Sequence, residues 1–212
     1  MFAWPLFVVA FLELGLATQT PWWVAVWLAW AGLATGFVGV VYLASRPSWL
    51  GKGTSFPPFL FPYLVLARSM ARVAQRIGLI ERQEIVPGLW VGGWPRRGAP
   101  GLAQLDLTAE LPRRGSAAMY RNIPMLDGAV PRREDWDAAV AQVLEWRKEG
   151  RDVLVHCAYG HGRSVAVVVG VLVHEGLAAD PVVGLAMVRA VRPRARLTAE
   201  QTRFVDAVTR DC

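Results

Sequence analysis

Apolar side chains occupy nearly every one of the first 45 positions, where Glu13 is the single charged residue. The stretch "WWVAVWLAWAGLATGFVGVVYLA", Trp22 to Ala44, is 23 uncharged residues, long enough as a helix to cross a hydrocarbon core of about 30 Å. "FAWPLFVVAFLELGLA", Phe2 to Ala17, is shorter and interrupted by Glu13, so it spans only with tilt or local thinning of the bilayer. A signal peptide fits it less well, because no basic leader precedes it and a second apolar run follows after only "TQTP". Residues 1–45 are therefore expected to form a transmembrane helical hairpin. Trp4, Trp22, Trp23 and Trp49 fall near its ends, where indoles favour the headgroup layer. Gly32 and Gly36 make a small-xxx-small pair suited to packing within the hairpin, with dimerisation of two copies as the alternative. Glu13 marks an intramembrane site or simply reaches the interface.

The pattern changes after Arg46. In "PPFLFPYLVLARSMARVAQRIGLIERQ", Pro57 to Gln83, Arg68, Arg72 and Arg76 recur every fourth residue, while Leu66, Met70, Val73, Ile77 and Ile80 form an apolar stripe. That period predicts an amphipathic helix. Beside two spans it is expected to lie in the interface, with arginines on anionic headgroups and apolar residues among acyl chains. The competing reading is a linker helix packed on the domain that follows. Residues 46–84 are thus a juxtamembrane linker and interfacial helix.

From 85 to 212 short apolar runs alternate with helical stretches, the pattern of an α/β domain. "GLWVGG", "LAQLDLT", "AAMYRNIPM" and "DVLVHC" read as strands. Helices are expected over Arg133 to Gly150, over Gly162 to Gly176, over "DPVVGLAMVRAVRP" with Asp180 as N-cap and Pro181 next, and over "TAEQTRFVDAV".

All 23 Lys and Arg lie from Arg46 onward, with 16 of the 17 acids, which leaves a net charge of +7 on that part. Arg46 and Lys52 flank the second apolar run, so the positive-inside rule places the domain on the cytoplasmic side of an inner membrane, in a multi-pass topology. The charge is scattered arginine without a recognition motif, so a bilayer is the expected partner and nucleic acid is not. Cys157 and Cys212 make no disulfide framework, and Cys212 reads as a free terminal thiol. His156, His161 and His174 lack a matching cysteine or carboxylate cluster, so no metal is expected, and no cofactor is implied.

"HCAYGHGRS", His156 to Ser164, sits between the apolar runs "DVLVHC" and "VAVVVGVLV". A buried strand, a glycine-bearing loop and a helix N-terminus together make a site for an anion. Backbone N–H groups of Ala158, Tyr159, Gly160, His161 and Gly162 would line its concavity, and the helix dipole adds positive charge. A phosphate dianion fits there. The same field favours a thiolate at Cys157, hence a nucleophile. Arg163 offers a planar fork that can hold two phosphate oxygens through a trigonal bipyramidal transition state. Gly160 and Gly162 let the backbone bend without a Cβ in the way.

His156, Cys157, Gly160, Arg163 and Ser164 match HCxxGxxRS, and on these residues the chain resembles the cysteine-dependent protein tyrosine phosphatases, above all their dual-specificity branch. The whole loop looks like an atypical bacterial and plant subgroup that includes phosphatases of phospholipid headgroups. The likeness runs from about Ile85 to Phe204, through "VPGLWVGGWP", "LDLTAELP", "IPMLDGAVP" and "VRPRARLTAEQ". It implies a dual-specificity-phosphatase-like domain with a central, mostly parallel sheet flanked by helices. It also implies that Cys157 attacks phosphorus and that Asp127, 30 residues earlier, is the acid and then the base, with Asp135 as substitute. Ser164 would donate to the cysteine sulfur, and His156 would orient the loop from behind. Asp106 reads as structural. His161 touches a headgroup or merely solvent, and Tyr159 has no decided role.

Three functions follow. The first is a membrane-anchored phosphatase acting on a phospholipid headgroup, of the phosphatidylglycerophosphate or phosphoinositide type, with Arg68, Arg72 and Arg76 on the membrane surface. The second is a protein phosphatase tethered near its phosphoprotein substrates. A non-catalytic phosphate-binding adaptor is the third, disfavoured by the complete set of nucleophile, arginine, serine and acid.

Overall fold

The computed structural model describes residues 3–51, 56–113 and 115–210. Phe2, Lys52 and Cys212, which figure in the sequence reading, lie outside the described residues.

Five strands, β1 (Gln83–Val86), β2 (Leu89–Gly92), β3 (Gly98–Thr108), β4 (Ser116–Met125) and β5 (Val153–His156), form one sheet in the order β1-β2-β5-β3-β4. β1 pairs antiparallel with β2, and every other neighbouring pair is parallel. Central β5 is buried at all four positions, which is why it reads as an unbroken apolar run. The antiparallel β1 was not predicted: "QEIV" is too short to show a period and its neighbours read as helix. Helices α4 (Arg133–Lys148) and α5 (Arg163–His174) pack on the sheet, and α6 (Pro181–Val191) and α7 (Ala199–Arg210) pack on α5. Asp180 caps α6 as expected, accepting from the Val183 N–H at 2.8 Å.

The parallel strands share a direction, so β2, β5, β3 and β4 end along one edge of the sheet, at Gly92, His156, Thr108 and Met125. Loops leaving that edge converge, and in open α/β sheets this is where ligands bind.

Two apolar helices precede the domain, α1 (Ala3–Ala17) and α2 (Trp22–Leu43), and they pack along each other. Among the described residues α2 is the one helix long and apolar enough to cross a membrane, whereas α1 has only 15 residues. A Cβ on Gly32 would lie 2.9 Å from Leu14 Cγ, one on Gly36 3.7 Å from Ala10, and one on Gly39 2.9 Å from the Phe7 ring. The glycine pair therefore faces α1, and the dimer contact through Gly32 and Gly36 is corrected: that surface is already covered.

The amphipathic helix is also shorter than its periodicity suggested. α3 runs Phe61–Arg76 and stops at Gly78, whose φ is +70°. The Leu79 N–H reaches back to Ala74 O at 2.9 Å and the Gly78 N–H to Gln75 O at 3.3 Å, the paired bonds of a Schellman termination. Ile80 consequently leaves the apolar stripe and is buried beside Trp94. α3 sets Leu64, Ala71 and Ala74 against the protein and leaves Leu66, Met70, Val73 and Ile77 exposed. Its arginines part company. The Arg68 guanidinium lies over the Phe56 ring at 5.4 Å, while Arg72 and Arg76 line a groove of about 870 Å³ with Arg82 and Arg97.

Ala34, Val38 and Val41 of α2 and Leu60 and Leu64 at α3 share one apolar cluster with Ala109 and Leu126, which follow β3 and β4. The end of α2 and the start of α3 are thus built onto the very loops that leave the sheet's C-terminal edge.

Where α4 crosses α5, a Cβ on Gly170 would sit 2.3 Å from the ring of buried Trp136, so only glycine allows this approach. Gly170→Val should lower unfolding stability by about 1–3 kcal/mol, read as an earlier midpoint in urea with an unchanged slope. An unchanged midpoint would mean that the helices do not meet there.

Candidate active site

β5 delivers Cys157 to the sheet edge and α5 begins at Arg163, so the loop between them must fold back within six residues. Gly160 makes this possible. Its φ is +73°, and a Cβ there would lie 2.4 Å from the Gly92 carbonyl carbon. Gly162 is different: at φ −124° and with its nearest neighbour 3.9 Å away, it has room for a side chain. Of the two glycines expected to be necessary, only Gly160 is required by the backbone. Gly162 serves as N-cap without a side-chain cap, so the first N–H groups of α5 face the loop of Ala158, Tyr159, Gly160, His161 and Gly162, the set expected to bind phosphate.

Cys157 is buried, and its Sγ accepts the Gly160 N–H at 3.2 Å and lies 3.5 Å from Ser164 Oγ. Ser164 thus lies beside the sulfur, where the resemblance implied it, and the Gly160 N–H is a second partner that was not expected. His156 is wholly buried behind the loop, with Nε2 2.7 Å from Gln104 Nε2 and Nδ1 3.4 Å from the Cys157 carbonyl. It therefore braces the strand end, away from the cavity.

Arg163 is the most constrained side chain of the site. Glu110 holds it end-on, with Nη2 donating to Oε1 at 2.7 Å and Nη1 to Oε2 at 3.1 Å. Nη1 also donates to the carbonyls of Met125 at 2.9 Å and Leu107 at 3.3 Å. Burial opposes the charged form, but Glu110, Asp127 and Cys157 outweigh it and hold the guanidinium well above its ordinary pKa. Its side-on edge, Nε with the second Nη2 hydrogen, is left for a ligand. There Nε lies 3.2 Å from Asp127 Oδ1, a contact too poorly aligned to be a hydrogen bond.

Asp127 is half-exposed and shares a cavity of about 640 Å³ with Cys157, Tyr159, His161 and Arg196. The alternative acid, Asp135, is excluded. Arg132 binds it in a fork at 2.8 and 2.9 Å in the first turn of α4, outside that cavity. Asp106 is structural, buried and accepting from Thr108 and the Tyr120 hydroxyl. His161 lines the cavity rather than pointing to bulk solvent, and its ring stacks on Tyr159 at 6.5 Å. Burial, then Arg192, Arg194 and Arg196, keep its pKa below the usual value.

Sequence reasoning missed Glu110 and Arg192. Arg192 pins the loop from outside, Nε donating to Gly160 O at 2.7 Å and Nη2 to Tyr159 O at 2.9 Å. Both lie in the stretches "LDLTAELP" and "VRPRARLTAEQ", but nothing in their spacing says which carboxylate or guanidinium will turn inward. Tyr42 of α2 was missed too; it lines the same cavity and its hydroxyl meets the backbone of Asp127.

Residues 105–205 match the family model of the DSP-PTPase phosphatase domain of Swiss Army Knife proteins, PTP-SAK. The match supports a dual-specificity-type phosphatase domain of the protein tyrosine phosphatase superfamily over that segment. The phosphatase domain is accordingly that of a cysteine-dependent phosphoric monoester hydrolase. Its fold is similar to Tk-PTP in a mutant form, at 25% identity over 62% of this chain and 95% of that one, with a TM-score of 0.54. PTPMT1 in complex with PI(5)P superposes with a TM-score of 0.52 at 15% identity, over 61% of this chain and 95% of its own. Human DUSP28 gives 0.52 at 20% identity, over the same shares of the two chains, 61% and 95%. No curated protein sequence matches the chain.

Two outcomes follow for the phosphatase domain. Glu110→Gln should lower kcat/KM on p-nitrophenyl phosphate about 10- to 100-fold by loosening Arg163, with Glu110→Asp recovering part of it; equal activity of Gln and wild type would remove Glu110 from this role. Because the folded state disfavours protonated His161, the unfolded chain takes up that proton first as pH falls. The stability this residue contributes is whole above about pH 6.5 and lost as pH falls through the folded value. Urea midpoints should therefore drop less between pH 7 and 5 in His161→Gln than in wild type.

Proposed function

We propose that the protein is a membrane-anchored phosphatase that hydrolyses a phosphomonoester on a phospholipid headgroup through a phosphocysteine intermediate. The observation that carries this reading is the position of its exposed apolar surface. Of 27 large apolar side chains exposed among the described residues, 22 fall between Trp4 and Ile77, on α1, α2, α3 and their connections. Surfaces of that extent mark protein or membrane contacts, and one of these helices, α2, lines the catalytic cavity through Tyr42. A bilayer taking up α1 and α2 would hold the Cys157 loop at the headgroup layer, with Arg72 and Arg76 toward anionic lipid and the domain on the cytoplasmic side. Arg68, turned onto Phe56, contributes less to that contact.

In the first step the Cys157 thiolate attacks phosphorus in line as the phosphorus–oxygen ester bond breaks, and Asp127 gives its proton to the leaving alkoxide. The side-on edge of Arg163 and the loop N–H groups hold the equatorial oxygens. Water then attacks the phosphocysteine, Asp127 takes the water's proton, and the sulfur–phosphorus bond breaks with the Ser164 hydroxyl donating to the departing thiolate. Asp127 lies against Arg163 Nε; a bound phosphate would take over that edge and leave the carboxyl facing the ester oxygen.

Phosphate release in mixed micelles tests this. Wild-type protein should favour phospholipid phosphomonoesters over phosphotyrosine peptides by a hundredfold or more in kcat/KM, about 2.7 kcal/mol of transition-state binding, with Cys157→Ser as the blank. Preference for the peptides would make the apolar helices an address for a protein phosphatase. Asp127→Asn should slow esters of poor leaving groups more than aryl phosphates, and equal slowing would remove Asp127 from the acid role.

A further inference from the structure

Beside the cavity that holds Cys157 lies a second one, of about 220 Å³. The two share Tyr42, Asp127 and Tyr159, so they meet at the residue that protonates the leaving group. The leaving alcohol must start at Asp127 and extend away from Cys157, which points its chain into this second space. The walls there come from α3, through Tyr63, Leu66, Met70 and Ala71, and from Leu111 across from it. Leu66 and Met70 also belong to the exposed apolar stripe of α3, so the cavity opens toward the surface read as facing the bilayer.

Its charge is as informative as its shape. Among the described residues that line it, the ionisable groups besides three tyrosines are two carboxylates, Glu110 and Asp127, and none is basic. Burial keeps the Tyr63 hydroxyl well above its ordinary pKa, and it stays neutral. Arg163 is held end-on by Glu110 and offers its other edge to the reacting phosphate, so a second phosphate here would be desolvated with no cation of its own to pair with. Arg163 apart, the nearby arginines lie elsewhere, Arg72, Arg76, Arg82 and Arg97 along the separate groove between α3 and the start of β3.

We propose that this cavity is the subsite for a neutral, apolar leaving alcohol, so that the preferred substrate is a lipid whose phosphomonoester joins its acyl-bearing portion directly, as in phosphatidate. Lipids that place a phosphodiester between the reacting phosphate and the chains are poorer substrates, because that diester would fall among Glu110, Asp127 and apolar carbons. The inference rests on the lipid reading above and narrows its headgroup class. Leu66 and Met70 become specificity residues, and the subsite exists only because α3 is packed on the domain.

The test compares full-length protein on dioctanoyl phosphatidate, dioctanoyl phosphatidylglycerophosphate, a phosphotyrosine peptide and p-nitrophenyl phosphate in the same micelles. Phosphatidate should exceed phosphatidylglycerophosphate at least tenfold in kcat/KM. Met70→Trp, which fills the cavity, should cut the phosphatidate to p-nitrophenyl phosphate ratio at least tenfold. A chain-length series from dibutyryl to dioctanoyl needs no variant: the rate should climb by up to about fourfold per buried methylene and level off once the cavity is full. Equal or better turnover of phosphatidylglycerophosphate, or a rate indifferent to chain length, overturns the subsite while the lipid reading stands. A preference for the peptide overturns both.

Discussion

The site depends on one buried cation. Arg163 lies at the start of α5 with almost no solvent contact, and Glu110, from the turn after β3, neutralises it end-on while the carbonyls of Leu107 and Met125 take further N–H groups. Removing one partner of such a pair leaves a desolvated charge and costs about 3–5 kcal/mol. The loops after β3, β4 and β5 are therefore tied to one guanidinium, and the geometry that fixes them also decides which of its edges faces a phosphate. Glu110 takes the end, so the side remains.

The second constraint comes from outside the phosphatase domain. α2 and α3 bury Val38, Val41 and Leu64 against Ala109 and Leu126, residues that adjoin Glu110 and Asp127 in the chain. Apolar helices that merely addressed the protein to a membrane would have no reason to contact those loops. Here Tyr42 touches the backbone of Asp127 and shares its cavity. On the proposed reading, the helices that meet the bilayer also line the space beside Asp127.

Much of this was legible in the sequence, and unevenly so. Cys157, Arg163 and Ser164 stand in one contiguous loop whose spacing reflects local geometry, and long apolar or amphipathic periods announced α2, α4 and α5. Long-range choices were not legible. That Glu110 rather than Glu81 or Glu84 turns onto Arg163, and that Arg192 reaches back to the loop carbonyls, depends on how distant segments meet. Local chemistry also overrode periodicity: Gly78 ended α3 and sent Ile80 into the core, although its position continued the stripe. Gly32 and Gly36 suited packing within the hairpin, with a second copy as the alternative, and the contact with α1 distinguished the two.

On the reading proposed above, α3 lies in the bilayer surface while walling the cavity that adjoins the one holding Cys157. Photo-crosslinking in proteoliposomes with a phospholipid carrying a diazirine in its acyl chain, read by peptide mass spectrometry, tests it directly. The account predicts adducts on Leu66, Met70, Val73 and Ile77 as well as along α1 and α2. Adducts on α1 and α2 with α3 unlabelled would detach the site from the membrane surface and contradict it.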